Sequence, residues 1–254
     1  MDNNNNTVNT TVNKIVNKIV NLYNKYGSFN YIGENITQID HAIQCAEHAI
    51  HDIRLNKYTL YEKQCVIVAA LLHDIGHLVG YEETTNKNTI MHMIDADADN
   101  AGANADNAGA GADADRADAD NDATHTNKKQ KKQSLGIMNH ELIGSNYLQK
   151  CGLPLIVCEL VNSHVQSKRY LSTISKKYFD KLSNASKKTL VIQGGLMTPP
   201  ELQIFKSSPL AHLKILLREY DDTGKKTYGN DTGTLNKKTI ENYKQYIEDI
   251  LNLL

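Results

Sequence analysis

At 254 residues the chain is long enough for one large domain or two small ones, and with 40% hydrophobic residues, 6% aromatic and no Trp its core is thin for its length. The net charge is −1, but nine Asp against Arg116 alone put about −8 between Asp95 and Asp122, which leaves about +7 elsewhere. Lys128, Lys129, Lys131 and Lys132 carry four of those positive charges. The body proper is therefore only mildly basic, which suits a small anionic substrate and argues against nucleic acid as a partner.

Asn-rich residues 1–7 are expected to be disordered. Residues 8–26 read as a helix, because Val8, Val12, Ile15, Ile19 and Tyr23 recur at helical spacing and Gly27 can end it. A loop follows over 28–35. A second amphipathic helix is expected over 36–55, with Ile39, Ile43, Ala46 and Ile50 on one face. The most apolar helix is expected over 58–78, with His73-Asp74 near its end and Gly80 after it. Residues 86–134 are dominated by Asp, Ala, Asn and Gly and end in a Lys-rich run. Such a stretch buries too little apolar surface to offset the entropy of ordering, so it reads as a disordered insertion. It splits one domain rather than joining two, since candidate ligands lie on both sides. Helices resume over 139–149, 154–166, 183–193, 210–220 and 239–254, with turns at Gly194-Gly195 and Pro199-Pro200. No strand pattern stands out. The expected fold is all-α, a single domain over 8–254.

The polar start lacks a signal-peptide core, and no apolar run is long enough to span a bilayer. Cys45, Cys65, Cys151 and Cys158 form no CxxC pair and read as reduced thiols. A soluble cytoplasmic protein with no membrane partner is the expectation.

His73-Asp74 in "AALLHDIGHLVG" carries the chemistry. An imidazole and a carboxylate side by side in an apolar helix are expensive to bury without a partner, and a metal ion satisfies both. A carboxylate has two oxygens and can bridge two ions. His41, His140, His164 and Asp221 are further candidates, giving four His and two Asp. A surface His140–Glu141 pair rivals the ligand reading of His140. Asp222 competes with Asp221, although Asp221 shares a helix face with Arg218 three residues earlier. His48, His51, His92, His125 and His212 read as ordinary histidines. Nitrogen and carboxylate donors without thiolate suit iron or manganese, with zinc possible.

This His … His-Asp … Asp order resembles the HD-domain superfamily, and the added His140 and His164 resemble its dinuclear members. "YIGENITQIDH", "LLHDIGH", "HELIGSNYL", "HVQSKRYL", "LSNASKKTLVIQGG" and "LREYDDTGKK", in that order, resemble the phosphonate-cleaving oxygenases of the 2-amino-1-hydroxyethylphosphonate dioxygenase type. That resemblance implies an HD-domain helical bundle holding two iron ions in a mixed-valent centre. His41, His73, Asp74 and Asp221 would hold one iron, and Asp74, His140 and His164 the other. Tyr31 would occupy a metal position until substrate displaces it, and Glu34 would move with it and meet the substrate amine. His77, Lys168, Ser186 and Arg218 would line the substrate pocket. A phosphonate dianion calls for cations and hydroxyl donors, although Lys168 also reads as a solvated lysine, Arg218 as a surface pair with Glu219 or Asp222, and Ser186 as helix surface. The implied reaction is cleavage of a carbon–phosphorus bond with dioxygen, leaving phosphate and a carboxylic acid. The rival readings are a phosphohydrolase of a nucleotide or other phosphoester, using manganese or another divalent metal, and a non-catalytic module acting through its Asp-rich stretch.

Overall fold

The computed structural model describes residues 2–31, 33–87, 93–95, 134–227 and 238–253. Most of the 86–134 stretch, with His92 and His125, lies outside the described residues, so its expected disorder is not addressed. The architecture is all-α, with two short strands beside the helices. Among the described residues no single helix is long and apolar enough to cross a membrane.

Helix α1 spans Asp2–Tyr26 and so runs back through residues 2–7, where composition pointed to disorder. Asn is a weak helix former rather than a breaker, and extending an existing helix is far easier than nucleating one. Its face of Val12, Val16, Ile19, Val20 and Tyr23 is buried. Helix α2 covers Gln38–Ile50, where the Thr37 side chain accepts from the Asp40 N–H. It stops short of the expected residue 55, and a 3₁₀ turn over Ile53–Lys57 follows, started by the Asp52 side chain accepting from the Arg54 N–H.

The single helix expected over 58–78 is two helices, α3 over Leu60–Leu72 and α4 over Ile75–Lys87, bent by 44°. The break falls at His73-Asp74, and Gly80 lies inside α4 rather than after a helix. Consecutive side chains on a continuous helix point about 100° apart. The break lets both members of the pair turn toward one point. Helix α3 is the axis of the core: Cys65 to Leu72 are each no more than 4% exposed, and α2, α6, α10 and α11 pack around it.

Strands β1 (Met93–Asp95) and β2 (Ser134–Ile137) form an antiparallel pair, with Met93 opposite Ile137 and Asp95 opposite Ser134. The sequence offered no strand here because three or four residues are too short to show alternation. The ladder places the two ends of the intervening stretch side by side. Replacing residues 96–133 with a short Gly-containing turn is therefore expected to shift the thermal midpoint by no more than about 2 °C. Excising 86–134 removes β1, the last residues of α4 and the start of β2, and is expected to cost more. Equal midpoints for the two deletions would contradict the ladder's role.

Helix α5 spans His140–Lys150, α6 Leu155–Ile174, α7 Lys176–Lys181 and α8 Asn184–Ile192. Helix α6 runs past its expected end at 166, and α7 was not foreseen. Pro199-Pro200 is not a turn but the first residues of helix α9, Pro199–Ser207. Proline is well placed there, since its missing N–H would have no helical partner, and Glu201 accepts from the Thr198 backbone N–H at 2.7 Å. Helix α10 spans Ala211–Thr223, a 3₁₀ turn Ile240–Tyr243, and α11 Lys244–Asn252.

One close approach decides where the second half of the chain sits. A Cβ on Gly76 of α4 would lie 1.9 Å from the His140 carbonyl oxygen, and one on Gly144 would lie 3.0 Å from the Gly76 nitrogen. Only glycine allows α4 and α5 to touch at this depth, and the contact sets His140 beside Asp74.

Candidate metal centre

The break between α3 and α4 supplies His73 and Asp74, α2 supplies His41, the start of α5 His140, the middle of α6 His164 and the last turns of α10 Asp221. All six are buried. They converge as two pairs of imidazoles flanking one carboxylate. His41 Nε2 lies 3.1 Å from His73 Nε2, and His140 Nε2 lies 2.9 Å from His164 Nε2. Asp74 Oδ2 faces the first pair at 3.7 and 3.3 Å, and its Oδ1 faces the second at 3.4 and 3.3 Å. Asp221 Oδ1 completes the first side, 3.5 Å from His41 and 4.0 Å from His73.

The hydrogen bonds behind these rings show what the cluster is built to hold. Each Nδ1 faces a backbone carbonyl: His41 that of Gly224 (2.8 Å), His73 that of Ala70 (2.9 Å), His140 that of Ile137 (3.2 Å) and His164 that of Val161 (2.7 Å). A carbonyl oxygen only accepts, so each Nδ1 carries the proton and each Nε2 presents a lone pair. Four lone pairs and a carboxylate then point at one another across about 3 Å, an arrangement that repels itself unless a cation lies between them. Donor spacings of 2.9–3.5 Å match what metal bonds of about 2.0–2.2 Å at right or tetrahedral angles require, and the two longest, 3.7 Å from His41 to Asp74 and 4.0 Å from His73 to Asp221, call for wider angles. The donor set therefore fits two ions sharing Asp74. The cluster's demand for positive charge also shows in its affinity for a proton. Burial disfavours a charged His73, yet Asp74 and Asp221 raise it to about 9. Burial also opposes ionised Asp74, and the charge on His73 with the hydrogen bonds of His140, His164 and His73 more than offset it, holding Asp74 well below the carboxylate range.

Two neighbours lie close enough to share in such sites, His77 beside Asp74 and His140, and Cys45 beside His41 and His73. His77 differs from the other four histidines. Its Nδ1 accepts the Ile137 N–H at 3.1 Å, so its proton sits on Nε2. Burial and then the neighbouring His140 hold it well below the usual histidine range, so it is a neutral donor stacked 4.0 Å from His140. Cys45 donates to the Tyr220 carbonyl at 3.4 Å, and burial followed by Asp221 pushes its thiol well up, so it packs under His41 as a protonated thiol.

A pocket opens over the cluster, and every remaining residue singled out from sequence lines it: Tyr31, Glu34, His77, Lys168, Ser186 and Arg218. Gly33, at φ +68, makes the turn that puts Glu34 under Tyr31, with the Glu34 N–H donating to the Tyr31 carbonyl at 3.1 Å. The Tyr31 ring stacks on His41 at 3.9 Å, and its hydroxyl lies 3.5 Å from Asp221 Oδ1. Burial and then Asp221 raise this phenol well above its ordinary range. Glu34 Oε1 is buried with no hydrogen-bond partner among the described residues. Lys168 is 4% exposed and donates to Thr189 Oγ1 at 2.9 Å; burial and then Arg218 lower it to about 7.

Asp221 and Asp222 face different neighbours. Asp221 faces the histidines, while Asp222 accepts from Arg218 Nη2, from Arg218 Nε at 3.1 Å and from the Tyr178 hydroxyl at 2.6 Å. Arg218 Nη1 donates to Asp221 Oδ2 at 2.7 Å. Glu141 Oε2 stands 3.6 Å from His140 Nδ1, but both are buried, so this is not the surface pair that the sequence suggested. His48 and His51 stay outside the cluster, and His212 pairs with the Tyr58 hydroxyl at 2.7 Å. Tyr178, Thr189 and Lys225 were not singled out from sequence; they lie more than 100 residues beyond His73-Asp74.

No family model matches the chain. The uncharacterized protein L432 of Acanthamoeba polyphaga mimivirus is 34% identical over 204 residues, covering 80% of this chain and 69% of that one. The chain belongs to the family of this viral protein. It is also similar to hydroxymethylphosphonate dioxygenase of Gimesia maris, at 29% identity over 196 residues, 77% of this chain and 71% of the relative. A third relative is [1-hydroxy-2-(trimethylamino)ethyl]phosphonate dioxygenase (glycine-betaine-forming) of Leisingera caerulea, 27% identical over 205 residues, 81% of this chain and 77% of the relative.

Proposed function

We propose that this L432-family chain is an HD-domain oxygenase that cleaves the carbon–phosphorus bond of a small hydroxylated aminophosphonate with dioxygen and releases phosphate. The observation that carries the reading is the Tyr31–Glu34 turn, which lays a phenol onto His41 beside Asp221 and sets at the pocket wall a glutamate whose buried Oε1 has no hydrogen-bond partner among the described residues. A phosphohydrolase needs neither group. Two relatives named as phosphonate dioxygenases support the same direction.

His41, His73, Asp74 and Asp221 would hold one ion and Asp74, His140 and His164 the other. Iron at these positions supplies the electron exchange with dioxygen that no side chain here provides. The remaining steps belong to the protein. Lys168 and Ser186 meet the phosphonate oxygens as charged and neutral donors, and Arg218 fixes the orientation of Asp221. His77 offers its Nε2 proton to the bound anion. Tyr31 keeps its place beside Asp221 until substrate displaces it, and Glu34, on the same turn, moves with it to meet the substrate ammonium. For 2-amino-1-hydroxyethylphosphonate the reaction balances with one dioxygen: the carbon–phosphorus bond breaks, the carbinol carbon becomes the glycine carboxyl, and phosphorus leaves as phosphate. Dioxygen is the only oxidant required.

The test is phosphate release from 2-amino-1-hydroxyethylphosphonate by protein purified anaerobically with iron, with and without dioxygen. Release with glycine only when dioxygen is admitted is expected. Phosphate release that ignores dioxygen, or hydrolysis of nucleotides in its place, would move the site to the phosphohydrolases.

A further inference from the structure

The pocket that the proposed function assigns to phosphonate contains three cations, and their surroundings differ. The Arg218 guanidinium is matched by two carboxylates, Asp221 at 2.7 Å and Asp222 through Nε and Nη2. Its charge is already committed. Lys168 meets the hydroxyl of Thr189. Lys225, in the turn just after α10, sits on Ser186: its ammonium donates to Ser186 Oγ at 3.3 Å and stands 3.8 Å from Asp221 Oδ1. Its side chain is 15% exposed and its ammonium lies 5.6 Å over the Tyr31 ring.

Ser186 and Thr189 are neighbours on one face of α8, three residues apart. The two lysine–hydroxyl pairs therefore stand side by side at one wall of the pocket. The hydroxyls are not equivalent. Thr189 Oγ1 donates back to the Ser186 carbonyl at 3.2 Å, which uses its proton. Ser186 Oγ takes the Lys225 ammonium as acceptor, which turns its own proton away from Lys225 and leaves it for a ligand. Two ammonium groups and one hydroxyl proton match the three oxygens of a tetrahedral dianion.

We propose that Lys225 is a second anion-binding lysine of this pocket, forming with Lys168 and Ser186 a cradle selective for a dianionic phosphonate or phosphate group. The inference rests on the pocket being the substrate site, and it does not depend on the fate of dioxygen there. Arg218 then serves the metal centre by orienting Asp221, and the lysines serve the substrate.

The experiment is calorimetric titration of metal-loaded, full-length protein with inorganic phosphate at about pH 8, for the wild type, Lys225→Met, Lys225→Gln and Lys225→Arg. Both neutral variants are expected to bind phosphate about tenfold or more weakly with metal content unchanged, and Lys225→Arg to stay within about threefold of the wild type. Unchanged phosphate affinity in either neutral variant, or no phosphate binding by the wild type, would overturn the proposal. Loss of metal together with affinity would overturn it too, because Lys225 would then act through Asp221. Phosphate binding that behaves as expected in a protein showing no dioxygen-dependent release would leave the cradle standing and remove the oxygenase reading.

Discussion

Asp74→Ala is expected to remove both metal ions, while Asp221→Ala removes one. The contrast follows from how the two carboxylates are used. Asp74 presents Oδ2 to His41 and His73 and Oδ1 to His140 and His164, all between 3.3 and 3.7 Å, so its loss opens both sides at once. Asp221 touches only the first side. Activity should fall by at least ~100-fold in Asp74→Ala, beyond the 10–100-fold typical of losing an outer-shell partner. The protein should still fold, since α3 is held by its apolar faces and not by the pair at its end. Metal analysis of the purified variants decides the matter. Two ions retained by Asp74→Ala, or equal losses in the two variants, would sink the shared-carboxylate arrangement.

Lys168→Met is expected to weaken phosphonate binding about 100-fold, or about 2.7 kcal/mol, with metal content intact. The methionine keeps the apolar stem and removes the ammonium, so the change isolates the charge. The same lysine makes binding pH-dependent. In the free protein burial and then Arg218 hold Lys168 at about 7, well below an ordinary lysine. A bound dianion favours its charged form and raises it. Below about pH 7 the lysine is already protonated and binding moves no proton through it; above that, binding takes up as much as one proton, most clearly at about pH 8.5 where the phosphonate is itself fully ionised. Calorimetry in buffers of different ionisation enthalpy reads this directly. Equal apparent enthalpies across buffers, or equal uptake in Lys168→Met, would remove Lys168 from the site. The linkage has a counterpart without ligand. Between about pH 7 and about pH 10.4 the unfolded chain holds a proton on this group that the folded chain lacks, so this term makes the free protein more stable as pH rises. Substrate affinity at neutral pH is thus obtained at the expense of ligand-free stability, and Lys168→Met should not lower the thermal midpoint there.

The sequence by itself determined the all-α class, because helical periodicity is local and survives in helices such as α1, α2 and α10. It also singled out the residues that meet at the site. An imidazole beside a carboxylate in an apolar helix is legible as a cost without a partner, and the ordered blocks around His41, His140, His164 and Asp221 carried the rest. Lengths and interruptions were less legible. A continuous apolar pattern over 58–78 hid the break at His73-Asp74, since periodicity records which residues are buried and not whether the axis bends between them. Pro199-Pro200 read as a turn because proline signals a helix start and a turn with the same restricted φ.

Only the tertiary structure decided the rest. The convergence of Gly76 on the His140 carbonyl brings the two halves of the centre together, and a glycine that allows a helix contact looks in sequence like any other. The tautomers follow from backbone carbonyls such as Gly224 O behind His41, 183 residues away in the chain. Asp221 faces the histidines while the Tyr178 hydroxyl, 44 residues away, holds Asp222. Lys225 gained its meaning when α8 placed Ser186 beside it, 39 residues back. The contacts of Gly76 with His140, His41 with Gly224, Tyr178 with Asp222 and Lys225 with Ser186 join atoms far apart in sequence, where no local pattern records them, and their strength depends on a burial that exists only after the chain has folded.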